Sequence, residues 1–200
     1  MAGTVGWMAP PRIVDPFGYY HLGTRGNFGE AIFEERADFE KFLELYERAS
    51  SRRRWTTLDW VLLHNHVHLF VKLNDGGLSK GMQELVGGYS RWFNLKKGRT
   101  GEGHTFKNRF FSKQVTSESQ FLTLCEYIAL NPVEARPCSD PADWEWSGYA
   151  ATIGRARPRP FHDVGALLAH FGPTAQRARA CYFRLVDDAR RRTAVVESAA

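Results

Sequence analysis

No stretch of this 200-residue chain approaches the roughly 18 consecutive apolar residues that a membrane-spanning helix requires. No membrane partner is therefore expected. Cysteine is scarce, and Cys125, Cys138 and Cys181 are odd in number, far apart and without CxxC spacing. Neither a disulfide framework nor a thiolate metal site is indicated. The opening, Met1 to Pro11, lacks a charged region followed by an apolar one, so no secretory leader is read there and a cytoplasmic location is expected. Internal repeats are lacking as well. What is present, 43% hydrophobic residues, is ample for the buried core of one domain, with room for an appendage.

The net charge of +5 permits an anionic partner without demonstrating one. Position says more than the total. Between Lys96 and Lys113 the cations Lys96, Lys97, Arg99, Lys107, Arg109 and Lys113 stand against Glu102 alone. With Phe106, Phe110 and Phe111 among them, these residues have the composition of a platform for phosphates and bases. A solvated loop can have the same composition.

Alternation and helical spacing divide the rest. Phe17 to Thr24 reads as a first strand, ended by the turn-forming Arg25-Gly-Asn27. Phe39, Phe42, Leu43 and Tyr46 predict a helix from about Arg36 to Arg53, with Arg52, Arg53 and Arg54 at the end where the dipole favours cations. Strands from about Trp55 to Leu63 and from His66 to Leu73 make an antiparallel hairpin. Ser79 opens a helix carrying Met82, Leu85, Val86, Tyr89, Trp92 and Phe93, in which Gly87 and Gly88 weaken the helix or allow close packing. Phe110 to Val115 is a short strand.

A last helix follows, with Ser117 and Gln120 as a capping box and Pro132 stopping it by disfavouring helical geometry at Asn131. Trp144, Trp146 and Tyr149 form a packed tail. Arg155, Arg157 and Arg159, interleaved with prolines, make a basic linker. Asp163 caps a helix ended by Gly172-Pro173, and another runs from Thr174 to Arg190, Arg191 and Arg192. The order of elements gives an α+β chain: a ferredoxin-like antiparallel sheet with helices packed on it. The domain is expected over residues 17–150, with a basic, helical C-terminal extension over 151–200.

The chemistry centres on Leu58 to Leu73, where three histidines fall within five residues of a β-prone run. Strand alternation points His66 and His68 the same way and Val67, Leu69 and Val71 the other. Two neutral imidazoles side by side suit cis ligands on one divalent ion, provided each ring is oriented through its second nitrogen. His64 shares their parity, but Asn65 lies in or near a turn, which leaves its direction open. A single strand histidine is more often a satisfied core or edge residue, so the pair gains meaning only with a third ligand and a nucleophile. A closed zinc site is a weaker rival, with no cysteine nearby. On the last helix Tyr127 and Asn131, four residues apart, are neighbours on the edge of the apolar stripe. The reading is that His66, His68 and the Asn131 amide oxygen hold Mg²⁺ or Mn²⁺ and that Tyr127 attacks a phosphate.

Val61-Leu-Leu-His-Asn-His-Val-His-Leu-Phe-Val71 resembles the HUH motif of the single-tyrosine, IS-200-like transposases. Tyr127-Ile-Ala-Leu-Asn-Pro-Val-Glu-Ala135 resembles the tyrosine helix of their REP-associated branch. Thr24-Arg-Gly-Asn27, Phe106-Lys-Asn-Arg-Phe110 and Trp144-Glu-Trp-Ser-Gly-Tyr149 support the likeness, which spans about Phe17 to Tyr149. It implies the ferredoxin-like fold, a divalent metal on His66, His68 and Asn131, and Tyr127 as nucleophile. Such proteins cut single-stranded DNA, often beside a hairpin, leaving a 5′-phosphotyrosine and a free 3′-hydroxyl. The expected partner is single-stranded or hairpin DNA, as a monomer or homodimer, nucleoid-associated when bound. Two departures stand out: His64 replaces a usual proline, and Glu134 a common basic residue. A DNA or RNA hairpin-binding module without cleavage, and a structural metal protein, remain the alternatives.

Overall fold

Four antiparallel strands, β1 (Tyr19–Arg25), β2 (Thr56–Leu63), β3 (His66–Lys72) and β4 (Phe111–Val115), form one sheet in the order β2-β3-β1-β4. The computed structural model describes residues 14–99 and 104–198. Met1 to Pro11 and Glu102 lie outside the described residues. Helices α1 (Arg36–Arg52) and α2 (Leu78–Lys96) join the strands into a β-α-β-β-α-β unit, so the chain is α+β and ferredoxin-like. Helices α3 (Glu118–Glu134), α4 (Tyr149–Thr152), α5 (Val164–Leu168) and α6 (Ala175–Ser198) follow. No helix among the described residues is long and apolar enough to cross a membrane.

Period-two alternation splits the core. Tyr20, Leu22, Trp60, Leu62, Val67, Leu69 and Val71 pack against Phe39, Phe42 and Tyr46 of α1 and Met82, Leu85 and Tyr89 of α2. Val61, Leu63 and Phe70 instead meet Phe121, Leu124, Cys125 and Ile128 of α3, with Leu167, Tyr182 and Val186 behind them. The helices beyond residue 151 thus share a core with α3. Asp59, wholly buried on β2, ties them down: it accepts from the Tyr182 hydroxyl and the Trp60 amide, each at 2.8 Å. The tail covers the outer edge of β2. Leu62 donates to the Trp146 carbonyl, Trp144 Nε1 donates to the Leu62 carbonyl, both at 2.9 Å, and the Trp146 ring stacks on Phe39 at 4.5 Å.

Four local expectations change. Helix α3 does not stop at Pro132 but runs to Glu134. Proline in the last turn forfeits one intrahelical bond, while Ala135 still donates to the Asn131 carbonyl at 2.9 Å. The stop is Arg136, left-handed at φ 66°. Helix α2 begins at Leu78 after left-handed Gly77 (φ 71°), with no side-chain cap, so Ser79 lies inside the first turn. Close packing falls on Gly81, not Gly87 or Gly88: a Cβ at Gly81 would sit 2.5 Å from the Trp55 ring, whereas Gly87 and Gly88 have ordinary room. Helix α6 passes Arg192 and reaches Ser198, since neither glycine nor proline interrupts that stretch.

Candidate active site

Strand β3 is interior, flanked by β2 and β1, with His66 opposite Arg25 and Leu63, and His68 opposite Gly23 and Val61. Their alternation aims both rings at the face covered by α3, with centroids 5.1 Å apart. Helix α3 brings Tyr127 and Asn131 to the same place, one turn apart on its edge. Tyr127 is 37% exposed, whereas Asn131 is buried. The four residues expected to form a centre therefore meet: Tyr127 Oη lies 3.1 Å from His68 Nε2, and Asn131 Oδ1 lies 2.8 Å from His66 Nε2.

Two further residues belong to this constellation. His21 on β1 places Nε2 at 2.9 Å from His68 Nδ1, and Asn65 places Oδ1 at 2.6 Å from His66 Nδ1. Sequence reading left both out. Strand parity marks the inward face of His21, but only the β1–β3 register brings it beside His68. Asn65 shows itself only through turn geometry.

Burial, which disfavours the imidazolium, keeps these rings neutral. It lowers His68 to about 2, with His21 and His66 adding to the effect, and lowers His21 to about 4, with Lys113 adding. His66 is lowered by burial too, against the raising influence of its Asn131 contact.

His64 turns away from this group. Its Nδ1 lies 3.1 Å from the Phe33 carbonyl, and its ring meets Phe39 and Trp144 edge-on, both at 5.8 Å. The basic residues divide as well. Lys96 pairs with Glu35 and Asp38, and Lys97 with Glu34, at the N-terminal end of α1. Arg99, Lys107, Arg109 and Lys113 are exposed, and Lys113, His21 and Tyr127 share a cavity of about 350 Å³ with Gln114 and Gln120. Glu134 lines another hollow, with Arg136 and Arg190.

Among the described residues no three His, Cys, Asp or Glu side chains gather as a metal cluster. The available donor set is two imidazoles and an amide oxygen. That set fits a cation for a reason visible in the hydrogen bonds. Asn65 Nδ2 donates to the Gly29 carbonyl at 3.1 Å, which turns Asn65 Oδ1 toward His66 and requires the ring proton on Nδ1. A neutral His66 then has its Nε2 lone pair 2.8 Å from the Asn131 side-chain amide, a spacing that suits two adjacent ligands of one cation. Nitrogen and oxygen donors without thiolate suit Mg²⁺ or Mn²⁺.

The Tyr127 hydroxyl thus stands on the edge of a helix, beside a strand-borne histidine pair on a ferredoxin-like sheet. Residues 18–131 match the family described as Transposase IS200 like, and the chain belongs to that family. It is a transposase. Its fold is similar to that of a REP-associated tyrosine transposase solved bound to a REP hairpin, at TM-score 0.60 and 18% identity over 78% of this chain and 93% of that one. A second solved structure, from Deinococcus radiodurans R1, reaches TM-score 0.43 and 13% identity over 60% of this chain and 95% of that one, and carries no argument. No curated protein matches the chain.

Proposed function

We propose that this transposase nicks and rejoins single-stranded DNA beside a hairpin, with Tyr127 attacking the scissile phosphate to form a 5′-phosphotyrosine and release a 3′-hydroxyl. His66, His68 and Asn131 would hold Mg²⁺ or Mn²⁺. When bound, the ion polarises the phosphate and stabilises its developing negative charge. The observation that carries the reading is the convergence of Tyr127 Oη, His68 Nε2, His66 Nε2 and Asn131 Oδ1 within hydrogen-bonding contact, from two elements far apart in sequence.

The chain's own groups define what each does. His68 Nε2 holds the Tyr127 hydroxyl at 3.1 Å and would be the same nitrogen that serves as a ligand, so His68 both positions the hydroxyl and would hold the ion. Tyr127, exposed at the cavity it shares with Lys113, meets a strand whose phosphates that ammonium attracts. Arg99, Lys107 and Arg109 extend the cationic surface, whereas Lys96 and Lys97 already face carboxylates. Binding should weaken steeply with salt. Residues 17–150 carry the chemistry, and α5 and α6 brace the tyrosine helix from behind.

The test is covalent capture on a denaturing gel with labelled single-stranded hairpin DNA, with and without Mg²⁺ or Mn²⁺. A metal-dependent adduct is expected for the native protein and for neither Tyr127→Phe nor His66→Ala. Hairpin binding without adduct or cleavage across a broad substrate panel would instead make the protein a binding module.

A further inference from the structure

We infer that Asn65 and His21 are positioning residues that set the ring tautomers of His66 and His68, so that each presents an unprotonated Nε2 to a divalent cation; this rests on the metal site proposed above. Asn65 is the firmer case. Its Nδ2 donates to the Gly29 carbonyl at 3.1 Å, a partner that can only accept, and so the amide cannot turn over without losing that bond. Its backbone is held too, because Gly26 donates to the Asn65 carbonyl at 2.8 Å. Oδ1 therefore meets His66 Nδ1 at 2.6 Å, and that nitrogen carries the proton. Nε2 of His66 is left as a lone pair aimed at Asn131.

For His68 the contact with His21 can run in two directions. If His21 Nε2 carries the proton, it donates to His68 Nδ1, and His68 Nε2–H cannot ligate. With the proton on His68 Nδ1, His21 accepts at 2.9 Å, and His68 Nε2 is open to the Tyr127 hydroxyl or to a cation. Only the second arrangement builds a ligand. The His21 ring is held edge-on against Phe111 at 4.8 Å, which keeps its Nε2 on target. Fixing a ligand histidine through its other nitrogen is what outer partners of metal sites do, and their loss typically weakens metal binding roughly 10–100-fold.

Two readouts apart from activity test this. Long-range ¹H–¹⁵N NMR of the metal-free protein reads which nitrogen of each ring is protonated; His66 is expected as the Nδ1–H form, and this form should be lost in Asn65→Leu. Mn²⁺ titration followed by EPR should show affinity falling roughly 10–100-fold in Asn65→Leu and in His21→Phe, with most of it regained in Asn65→Asp and His21→Gln, which restore an acceptor. Native protein that binds Mn²⁺ no better than the Leu and Phe variants overturns the inference and leaves the ligands standing. Native protein that binds no Mn²⁺ at all removes the metal site itself, and an Nε2–H form of His66 in the same sample overturns the assignment made here.

Discussion

Three histidines within five residues end in two different environments, and the turn between β2 and β3 decides which. His66 and His68 are already on the strand and inherit its alternation, whereas His64 is the first residue of the turn and sets its ring against Phe39 and Trp144 with Nδ1 on the Phe33 carbonyl. The expected consequence is a separation of roles. His64→Ala should lower thermal stability by a few degrees, as lost ring packing does, while Mn²⁺ affinity and adduct yield stay within about twofold of the native protein. A loss of metal binding comparable to that of His66→Ala would put His64 back among the ligands. The His66–His68 pair was legible because strand periodicity is local. Their partners were not: His21 is fixed by strand register and Asn65 by a hydrogen bond to Gly29, and neither is written in the neighbouring letters.

Helix α3 shows how local signals and tertiary context share an element. Its start follows the sequence closely. Ser117 Oγ accepts from the Gln120 amide at 3.3 Å, and Gln120 Oε1 reaches back to the Thr116 amide at 2.9 Å, one residue before the reciprocal partner of an ideal box. Ser117→Ala should cost about 1 kcal/mol in urea unfolding, with the m-value unchanged, and a cost near zero would mean that solvent serves the exposed first turn equally well. The helix runs past Pro132 because proline costs only its own bond to the preceding turn, and the burial of Leu130, Asn131 and Pro132 holds the last residues helical to Glu134, before left-handed Arg136. Gly81 escaped notice for a similar reason: its need for smallness comes from Trp55, twenty-six residues earlier in the chain.

At the scale of the molecule, the C-terminal helices are packed onto the sheet through a buried acid. Burial raises Asp59 from 3.8 to about 7, despite its bonds from Tyr182 and Trp60. The folded chain keeps that proton where the unfolded chain has shed it, so the Asp59 contribution to stability is full below about pH 4 and is lost as pH rises toward about 7. Asp59→Asn abolishes this dependence, and the Tyr182 hydroxyl can turn to accept from the new amide. Urea midpoints of variant and native protein, compared at about pH 5 and about pH 8, should therefore shift in the variant's favour at the higher pH. A difference that is the same at both would show that Asp59 titrates normally in the folded chain.

The class of fold was readable from the order of elements. That α5 and α6 share a core with α3 was not, because basic, proline-spaced composition between residues 155 and 159 resembles a tether. Arg159 instead makes a paired contact with Glu40, both bonds at 3.0 Å. The placement of Tyr127 and Asn131 on one helix has a mechanical side. Both side chains are carried by a single stiff rod, wedged between the sheet and α6, so a tilt or slide of that rod withdraws both prongs from the His66–His68 socket at once. In the proposed reaction the attacking group and the third ligand would be geared together, with one alignment to keep where two separate elements would have needed two.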